Sequence, residues 1–457
     1  PLRLILMSAT LCSDIFEYVS TFGSSKLITV EGLITVEGKS YKVSMHFNRK
    51  DPDDYVVAAS KKVQKIRERL PIGKILVFLP SKDDINRCAI HLENIIKGNI
   101  IKAFSSMSPK NYELLFQSNE NDVILATNVA EASLTIPGVV YIVDTGKVKR
   151  KLYDENACAF RFSVDWISKA SAAQRMGRAG RVKDGHCYKL YTSETYHHIF
   201  PDFEEPEITK IPLDSHVVTS LRLGIDPANF HLPSMPANSN FDSAFNRLEN
   251  LGILSKKVLA PEYFLMTDLN LPPDCSVYIM RVIMKDKDIE EISLISLAAI
   301  VMATEELKPL GLKTESKEFK SDISYDCNLL CSHIQGKEKS LNQKSVNEVV
   351  KIYEKISQVL SEILGIDLQP LSSFQIEKKQ CRMIRAILKD SPLSKIAIRS
   401  QTPDNKGVYS YVCCDTHETA YLSKNSILHS RNPRIVNFRG KVNSGRKTLL
   451  TRISVVD

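Results

Sequence analysis

The segment QRMGRAGR, residues 174–181, decides the fold class and the chemistry that this 457-residue sequence predicts. The preceding run SKASAA favours a helix, and the spacing of Arg178 and Arg181 then predicts both guanidinium groups on one helical face. A guanidinium is permanently charged and donates paired hydrogen bonds to phosphate oxygens. Gly177 and Gly180 lack side chains, which suits the close approach of a ligand or another domain. The segment predicts a phosphate-binding element, with a basic turn on a helix surface as the alternative.

Short apolar runs alternate with helical patterns through the first part of the chain. Four runs have the length of strands buried on both faces, namely LRLILM (2–7), KILVFL (74–79), DVILA (122–126) and VVYIV (139–143). Strands that alternate with helices predict a parallel α/β sheet whose working loops follow the strand carboxyl ends. Residues 27–38 repeat LITVEG, for which a hairpin and a duplication tolerated in a surface connection are both open interpretations.

The pattern changes after this region. Residues 147–166, KVKRKLYDENACAFRFSVDW, predict a β-hairpin with a basic first strand. Beyond Pro206 the periodicity becomes helical, and longer helices are predicted over 289–307 and 346–364. From about residue 400 short strands separated by turns predict a small barrel.

Composition sets outer limits on function. Hydrophobic residues make up 43% and charged residues 25%, as in soluble globular proteins, and the length predicts several domains. The net charge of +8 favours anionic partners such as nucleic acid. Ten cysteines without a CxxC pair predict free thiols in a reducing compartment. The longest apolar run, 292–303, is too short to span a bilayer, so no membrane partner is predicted.

Four segments occur in the order and approximate spacing of helicase motifs III to VI. They are SAT (8–10), ILVFL (75–79), ATNVAEASLTIPG (126–138) and QRMGRAGR (174–181). With these motifs the sequence resembles the DEAH-box family of superfamily 2 helicases. The resemblance continues through WISKASAAQR, GHCYKLY, PEITKIPLDS and AYLSKNSILHSRNP, most strongly up to about residue 225.

The resemblance implies an α/β RecA-like fold followed by three smaller domains. The implied divisions are the end of a first RecA-like domain with a linker (1–45), a second RecA-like domain (46–205), a winged helix (206–272), a ratchet-like helical bundle (273–375) and an OB-fold barrel (376–457).

On the nucleotide side, the resemblance implies ATP bound with Mg²⁺ between two RecA-like domains. It makes Arg178 and Arg181 arginine fingers on the phosphates and puts Gln174 near the attacking water. Phe116 matches the aromatic residue that covers the base, with a core phenylalanine on an amphipathic helix as the alternative. The remaining implied residues are Gly177, Ser133 and Thr135 for nucleotide binding, and Ser8 and Thr10 for coupling hydrolysis to domain movement.

On the RNA side, the resemblance implies contacts from motif V and from the hairpin. Thr127 and Asn128 would contact the RNA backbone. The basic hairpin residues would each neutralise a phosphate, and they are Lys147, Lys149, Arg150 and Lys151. Motif IV departs from the family pattern, because Pro80-Ser81-Lys82 stands where the family has Thr-Gly-Gln, so the contact expected there is open, with Ser81 as its candidate.

The sequence contains neither a GxxxxGK[ST] loop nor a DEAH box. The resemblance therefore implies that the phosphate cradle and the Mg²⁺ ligands lie upstream, with no metal ligand in this chain. We expect this chain alone to bind RNA weakly and to hydrolyse no ATP.

Three segments between the motifs are similar to the ribosome-biogenesis members of the family, which act in the small-subunit processome and displace the U3 small nucleolar RNA. The segments are residues 41–56, 70–81 and 153–171. This similarity implies pre-ribosomal or small nucleolar RNA as substrate and a nuclear and nucleolar location. The DEAH-box resemblance as a whole implies a G-patch protein as a possible activator. A spliceosomal or generic DEAH-box helicase, a DNA helicase and a catalytically inactive RNA-binding scaffold are the alternatives.

Overall fold

The computed structural model describes residues 41–93, 95–105, 107, 109–131, 135–154, 159–230, 232–304, 307, 318–338, 341–389, 395–404, 407–444 and 447–456. The predicted strand 2–7, the LITVEG repeat, Ser8, Thr10 and Ser133 lie outside these residues. The chain divides into two units: unit 1 comprises Pro1–Lys151 and Ser163–Pro206, and unit 2 comprises Leu152–Phe162 and Glu207–Asp457.

Unit 1 is built on a parallel sheet of six strands. The strands are β1 (Val43–Phe47), β2 (Lys74–Phe78), β3 (Ile100–Ala103), β4 (Val123–Ala126), β5 (Val139–Asp144) and β8 (Gly185–Lys189). Their order is β1-β8-β5-β2-β4-β3, and every neighbouring pair is parallel. The predicted parallel α/β sheet is confirmed, and three of its strands coincide with the predicted apolar runs.

Helices cover both faces of this sheet. They are α1 (Tyr55–Arg69), α2 (Lys82–Leu92), α3 (Pro109–Gln117), α4 (Lys169–Met176) and α5 (Ser193–His198). β2 is buried along its whole length because alternate side chains enter two cores: Ile75 and Val77 pack with residues of α1 and α2, whereas Leu76 and Phe78 join a second cluster with Leu115 of α3.

The predicted hairpin consists of β6 (Lys147–Asp154) and β7 (Ala159–Trp166). Its predicted turn centre includes residues outside the described part of the chain. The hairpin segment 152–162 belongs to unit 2, where Phe160 and Arg161 pair in parallel with Val442 and Asn443.

The first part of unit 2 is helical. Its helices are α6 (Asp214–Arg222), α7 (Asn238–Asn250), α8 (Pro273–Met284), α9 (Ile289–Ala303), α10 (Asp322–Ile334), α11 (Gln343–Leu364) and α12 (Lys378–Lys389), and a small hairpin of β9 (Leu254–Ser255) and β10 (Val258–Leu259) follows α7. Residues 292–302 of α9 are all buried, so this helix forms part of the core of unit 2. The helix predicted over 289–307 ends earlier, at Ala303. No helix of the described residues is long and apolar enough to cross a bilayer.

Seven strands end unit 2. They are β11 (Lys395–Arg399), β12 (Tyr411–Cys413), β13 (Thr419–Leu422), β14 (Ile435–Phe438), β15 (Gly440–Ser444), β16 (Lys447–Thr451) and β17 (Ser454–Val455). Apart from the parallel pair β13 and β16, they pair antiparallel in the order β17-β14-β11-β12-β13-β16-β15. Alternate side chains such as Ala397, Tyr411 and Val436 form a separate core, so the predicted short strands are confirmed.

Candidate functional site

Helix α4 brings Arg175 into the interior of unit 1. The helix begins at its N-cap Ser168, whose Oγ accepts a hydrogen bond from the Ser171 amide at 3.1 Å. Arg175 is 1% exposed, and its Nη1 lies 2.8 Å from Oδ1 of the fully buried Asp144. Its Nε lies 3.0 Å from Oε2 of Glu131. The guanidinium also stacks over the ring of Phe78, 4.9 Å from its centroid.

This ion-pair network joins segments that are distant in sequence. Asp144 ends β5 and also accepts hydrogen bonds from the Gly146 amide at 2.9 Å and the Tyr191 hydroxyl at 3.1 Å. Glu131 belongs to motif V. Burial opposes the charge of Arg175, but Asp144 and Glu131 outweigh burial and raise the pKa of its guanidinium. The network therefore holds α4 against β5 and motif V.

The two predicted finger arginines lie beyond α4. The helix ends at Met176 with Gly177 as its C-cap, and residues 177–183 form turns and bends. The prediction that Arg178 and Arg181 share a helical face is therefore wrong. Arg178 is half-buried and Arg181 is exposed. The pKa of Arg178 is lowered, first by burial and then by the positive charge of Arg181, while Glu131 opposes the shift. The two cations repel each other, so an anion placed between them would be stabilised.

The two glycines of the segment differ in whether a side chain would fit at their positions. Gly180 has φ of 73°, and a Cβ there would lie 2.7 Å from the carbonyl oxygen of Tyr41. Its own carbonyl accepts a hydrogen bond from the Tyr41 amide at 2.8 Å. The close approach predicted for Gly180 is thus made by the chain that leads into β1. A Cβ at Gly177 would meet only ordinary contacts, the nearest at 3.4 Å, so its nucleotide role stays a prediction.

Motif V packs beside α4. Ala130 and Ile136 share one core cluster with Ala179, and Met176 packs against it. Thr127 follows β4 and is half-buried, with its amide bonded to the Ala103 carbonyl at 3.0 Å. Asn128 and Thr135 are exposed. Their side chains are accessible to the predicted ligands, and their roles remain predictions.

The hydroxyl of Ser81 is engaged in the start of α2. It accepts from the Asp84 amide at 3.2 Å and donates to Asp84 Oδ2 at 2.6 Å. This Ser81 cap follows the carboxyl end of β2, where motif IV was predicted to contact RNA. A hydrogen bond from the Ser81 hydroxyl to an RNA phosphate would therefore have to replace its bond to Asp84.

The four basic hairpin residues fall into two pairs. The ammonium of Lys147 lies 3.1 Å from the ring centroid of Trp166, and Arg150 forms an ion pair with Glu204 and donates to the Trp166 carbonyl at 3.2 Å. The structure thus engages Lys147 and Arg150 in packing within unit 1. Lys149 and Lys151 are exposed. Of the four residues predicted to contact phosphates, these two are the more exposed.

Phe116 is 47% exposed, so the alternative interpretation as a core phenylalanine is wrong. The adjacent Leu115 is buried instead, with 1% of its surface exposed. The ring of Phe116 lies 5.4 Å from that of Tyr112, one helical turn away. Two exposed aromatic rings are thus adjacent on α3. Gln174, the residue predicted near the attacking water, is half-buried on α4.

Sequence reasoning missed Arg175, Glu131 and Asp144. The one available signal was Asp144 itself, a carboxylate that directly follows the apolar run 139–143 and therefore ends a buried strand. Buried carboxylates require paired cations or several donors, which predicts a partner but does not identify it. Within the described residues, no group of three or more His, Cys, Asp or Glu side chains is arranged to hold a metal ion.

Comparisons with known proteins agree with this geometry. Residues 59–183 match the family described as "Helicase conserved C-terminal domain". The chain is 33% identical to a putative ATP-dependent RNA helicase of Schizosaccharomyces pombe over 56% of this chain and 26% of that protein. It is 26% identical to the putative ATP-dependent RNA helicase rha-2 of Caenorhabditis elegans, over 100% of this chain and 52% of that protein.

The solved structures give the same result for the fold. The crystal structure of the DExH-box NTPase HrpB of Escherichia coli matches 92% of this chain and 47% of its own, with a TM-score of 0.68 and 20% identity. This likeness concerns the fold alone, and it supports a RecA-like sheet in unit 1. The chain spans about half or less of the length of these relatives. Residues 59–183 thus match a helicase C-terminal domain, and the chain is similar to DEAH/RHA-box ATP-dependent RNA helicases.

Proposed function

We propose that this chain is the C-terminal part of an ATP-dependent RNA helicase that translocates on single-stranded RNA and remodels RNA–protein complexes. The observation that carries the proposal is the Arg175 network. It anchors α4 through Asp144 and Glu131, and the turn with Arg178 and Arg181 follows two residues after the helix ends. A scaffold that binds RNA without hydrolysis has no need for this paired, mutually repelling set of cations.

The finger arginines would act on a nucleotide held by a second RecA-like domain. Magnesium-bound ATP supplies the phosphoryl group whose transfer drives the motor. Arg178 and Arg181 fit the phosphate side of this ligand, because their like charges oppose each other and the pair lies next to motif V. Their guanidinium groups would stabilise the negative charge that develops on the phosphate oxygens. Gln174 would orient the attacking water from α4.

The RNA side of the proposal uses groups at the carboxyl edge of the sheet and on the hairpin. Thr127 and Asn128 follow β4, and Lys149 and Lys151 are exposed residues of β6. Contacts of these types neutralise phosphates or form hydrogen bonds with them. They do not distinguish one base from another. We therefore expect binding that is independent of sequence.

The test is strand separation by the protein that carries this chain together with its ATP-binding partner domain. RNA and DNA duplexes of equal length with single-stranded overhangs would be offered with ATP. ATP-dependent separation of RNA supports the proposal, separation of DNA alone would favour a DNA helicase, and RNA binding without turnover would favour the scaffold.

The domain assignments in unit 2 belong to the same proposal. We assign residues 206–272 to a winged helix, 273–375 to a ratchet-like bundle and 376–457 to an OB-fold. Support comes from the two helices and small hairpin of the first segment, the buried α9 in the second, and the strands with a core of their own in the third.

The cellular role is proposed on the similarity of residues 41–56, 70–81 and 153–171 to ribosome-biogenesis helicases. We infer action on pre-ribosomal or small nucleolar RNA in the nucleolus, with a G-patch protein as activator. Crosslinking of bound RNA in cells tests this role. Enrichment of pre-ribosomal RNA supports it, whereas enrichment of introns would favour a spliceosomal role.

A further inference from the structure

Strand β3 is the edge strand of the sheet that the described residues form. Within the described residues it pairs only with β4. The Asn99 carbonyl accepts from the Val123 amide at 2.9 Å, and the Ala103 carbonyl accepts from Thr127 at 3.0 Å. Because backbone groups of a strand alternate in direction, the odd-numbered residues face β4. The N–H and C=O groups of Ile100 and Lys102 therefore point away from the sheet.

A cavity of about 530 Å³ lies beside this open edge. Its floor includes residues 99–102 of the edge, and its wall is formed by Leu114 and Gln117 of α3 together with residues 118 and 119. This volume falls within the range of about 300–1,000 Å³ that is usual for ligand sites. The outward-facing backbone groups of β3 therefore adjoin this cavity.

Three side chains fix the loop of residues 118–122, which lines the cavity. Lys74 donates to the Ser118 carbonyl at 2.8 Å, and Arg67 donates to the carbonyls of Asn121 at 2.8 Å and Asp122 at 3.1 Å. The buried Asp122 carboxylate accepts from the amides of Asn99 and Asn119 at 2.9 and 2.8 Å. A site whose walls are already fixed loses little conformational entropy on binding.

We propose that this cavity binds an extended segment of a partner polypeptide, with alternating acidic and apolar residues, as an additional strand beside β3. Backbone bonds to Ile100 and Lys102 would provide the pairing. Apolar side chains of the peptide would contact Leu114, which is 43% exposed, on the α3 side of the sheet.

The positive charges near β3 favour acidic residues in the bound peptide and disfavour a second copy of this chain as the occupant. Lys102 bonds Asn86 at 2.9 Å, and Lys82 lies over the Phe104 ring at 4.8 Å, so two cations flank β3 on its α2 side. The one carboxylate of the cavity, Asp122, already accepts three donors. Edge-to-edge pairing of two copies would bring their Lys102 side chains together, whereas an acidic strand complements them.

The probe is the labelled peptide Gly-Ser-Val-Glu-Val-Glu-Gly-Ser, titrated against the full chain by fluorescence anisotropy. We expect saturable binding that is lost when alternate peptide amides are N-methylated. Lys102→Glu should weaken this peptide by about 10-fold or more and should favour the Val-Lys-Val-Lys analogue. This exchange of preference shows that the variant is folded.

Leu114→Asp should also weaken binding, while Ile90→Asp, a change at an exposed residue of α2 outside the cavity, should leave it unchanged. With selective ¹⁵N labelling, the bound peptide should slow amide exchange of Ile100 and Lys102 more than that of Ile101. Absence of saturable binding, or binding indifferent to N-methylation or to Lys102→Glu, would overturn the proposal. A dimer of the chain that Leu114→Asp dissociates would also overturn it, because a second copy would then occupy the edge.

Discussion

Arg175 Nη1 and Asp144 Oδ1 lie 2.8 Å apart in an ion pair whose side chains are 1% and 0% exposed. Asp144 ends the central strand β5, and Arg175 lies near the end of α4. Removal of one member of such a pair leaves a buried charge without compensation, which costs far more than the intact pair contributes. The pair is therefore a structural requirement for the position of motif VI.

Arg175→Met tests this requirement. The substitution keeps most of the side-chain volume but leaves Asp144 and Glu131 buried without their cation. We expect the free energy of unfolding to fall by about 3–5 kcal/mol in urea denaturation. Arg181→Ala is the matched control, since Arg181 is exposed, and it should change stability by no more than about 0.5 kcal/mol. Equal losses for both variants would contradict the role assigned to Arg175.

The pair also shows where sequence reasoning reached its limit. The partners of Arg175 are 31 and 44 residues away along the chain, and no local spacing rule connects them. Apolar runs such as 74–79 and 139–143 predicted strands correctly, because burial on both faces constrains every residue of the run. The parallel sheet could therefore be predicted from local patterns, whereas the network at its carboxyl edge depends on tertiary contacts.

The finger arginines illustrate an error of a different kind. Helical spacing predicted a shared face for Arg178 and Arg181, but α4 ends at Met176 and Gly180 adopts a left-handed conformation that a helix does not contain. The error therefore lies in the assumed helical backbone, and the finger roles of the two arginines stay predictions. Similarly, residue type alone did not separate the exposed Lys149 and Lys151 from Arg150, which pairs with Glu204.

Arg181→Ala should abolish most ATP turnover in the protein that combines this chain with an ATP-binding RecA-like domain. Loss of an arginine finger lowers kcat by about 10³-fold or more, because the charge of the transition state is no longer compensated. Lys183→Ala, which removes a nearby exposed cation paired with Glu120, should leave kcat unchanged. Steady-state phosphate release measures both variants. Normal turnover in Arg181→Ala would refute the finger role, and ATP hydrolysis by this chain alone would refute the expected dependence on a second domain.

Lys149→Ala and Lys151→Ala should each reduce the salt dependence of RNA binding. For single-stranded RNA, each phosphate contact contributes about 0.7 to the slope of log K against log salt concentration. The slope would be measured by anisotropy with a labelled oligonucleotide over a series of salt concentrations. Lys183→Ala serves again as the control, because its charge loss is the same but it lies outside the hairpin. Unchanged slopes for both hairpin variants would exclude these two lysines as phosphate contacts.

His46 should make the stability of unit 1 sensitive to acid. Its Nε2 lies 3.2 Å from Nδ1 of His186 on the neighbouring strand, and its ring stacks on Tyr188 at 4.7 Å. His46 is an exposed residue, but partial burial of its ring, then the charges of His186 and Lys62, lower its pKa below the ordinary value of 6.5. The unfolded chain therefore binds a proton at this residue more readily than the folded chain does. Its contribution to stability is present above pH 6.5 and is lost as the pH falls through the lowered pKa.

We therefore expect the Tm to decrease when the pH is lowered from about 7.5 to about 5.5, and His46→Gln to make this decrease smaller. Glutamine keeps a polar side chain at the edge of the sheet but does not titrate. His91→Gln, at another exposed histidine, on α2, is the matched substitution for comparison. If the Tm of His46→Gln decreased as much as that of the unaltered protein, a titrating group other than His46 would be responsible for the acid sensitivity.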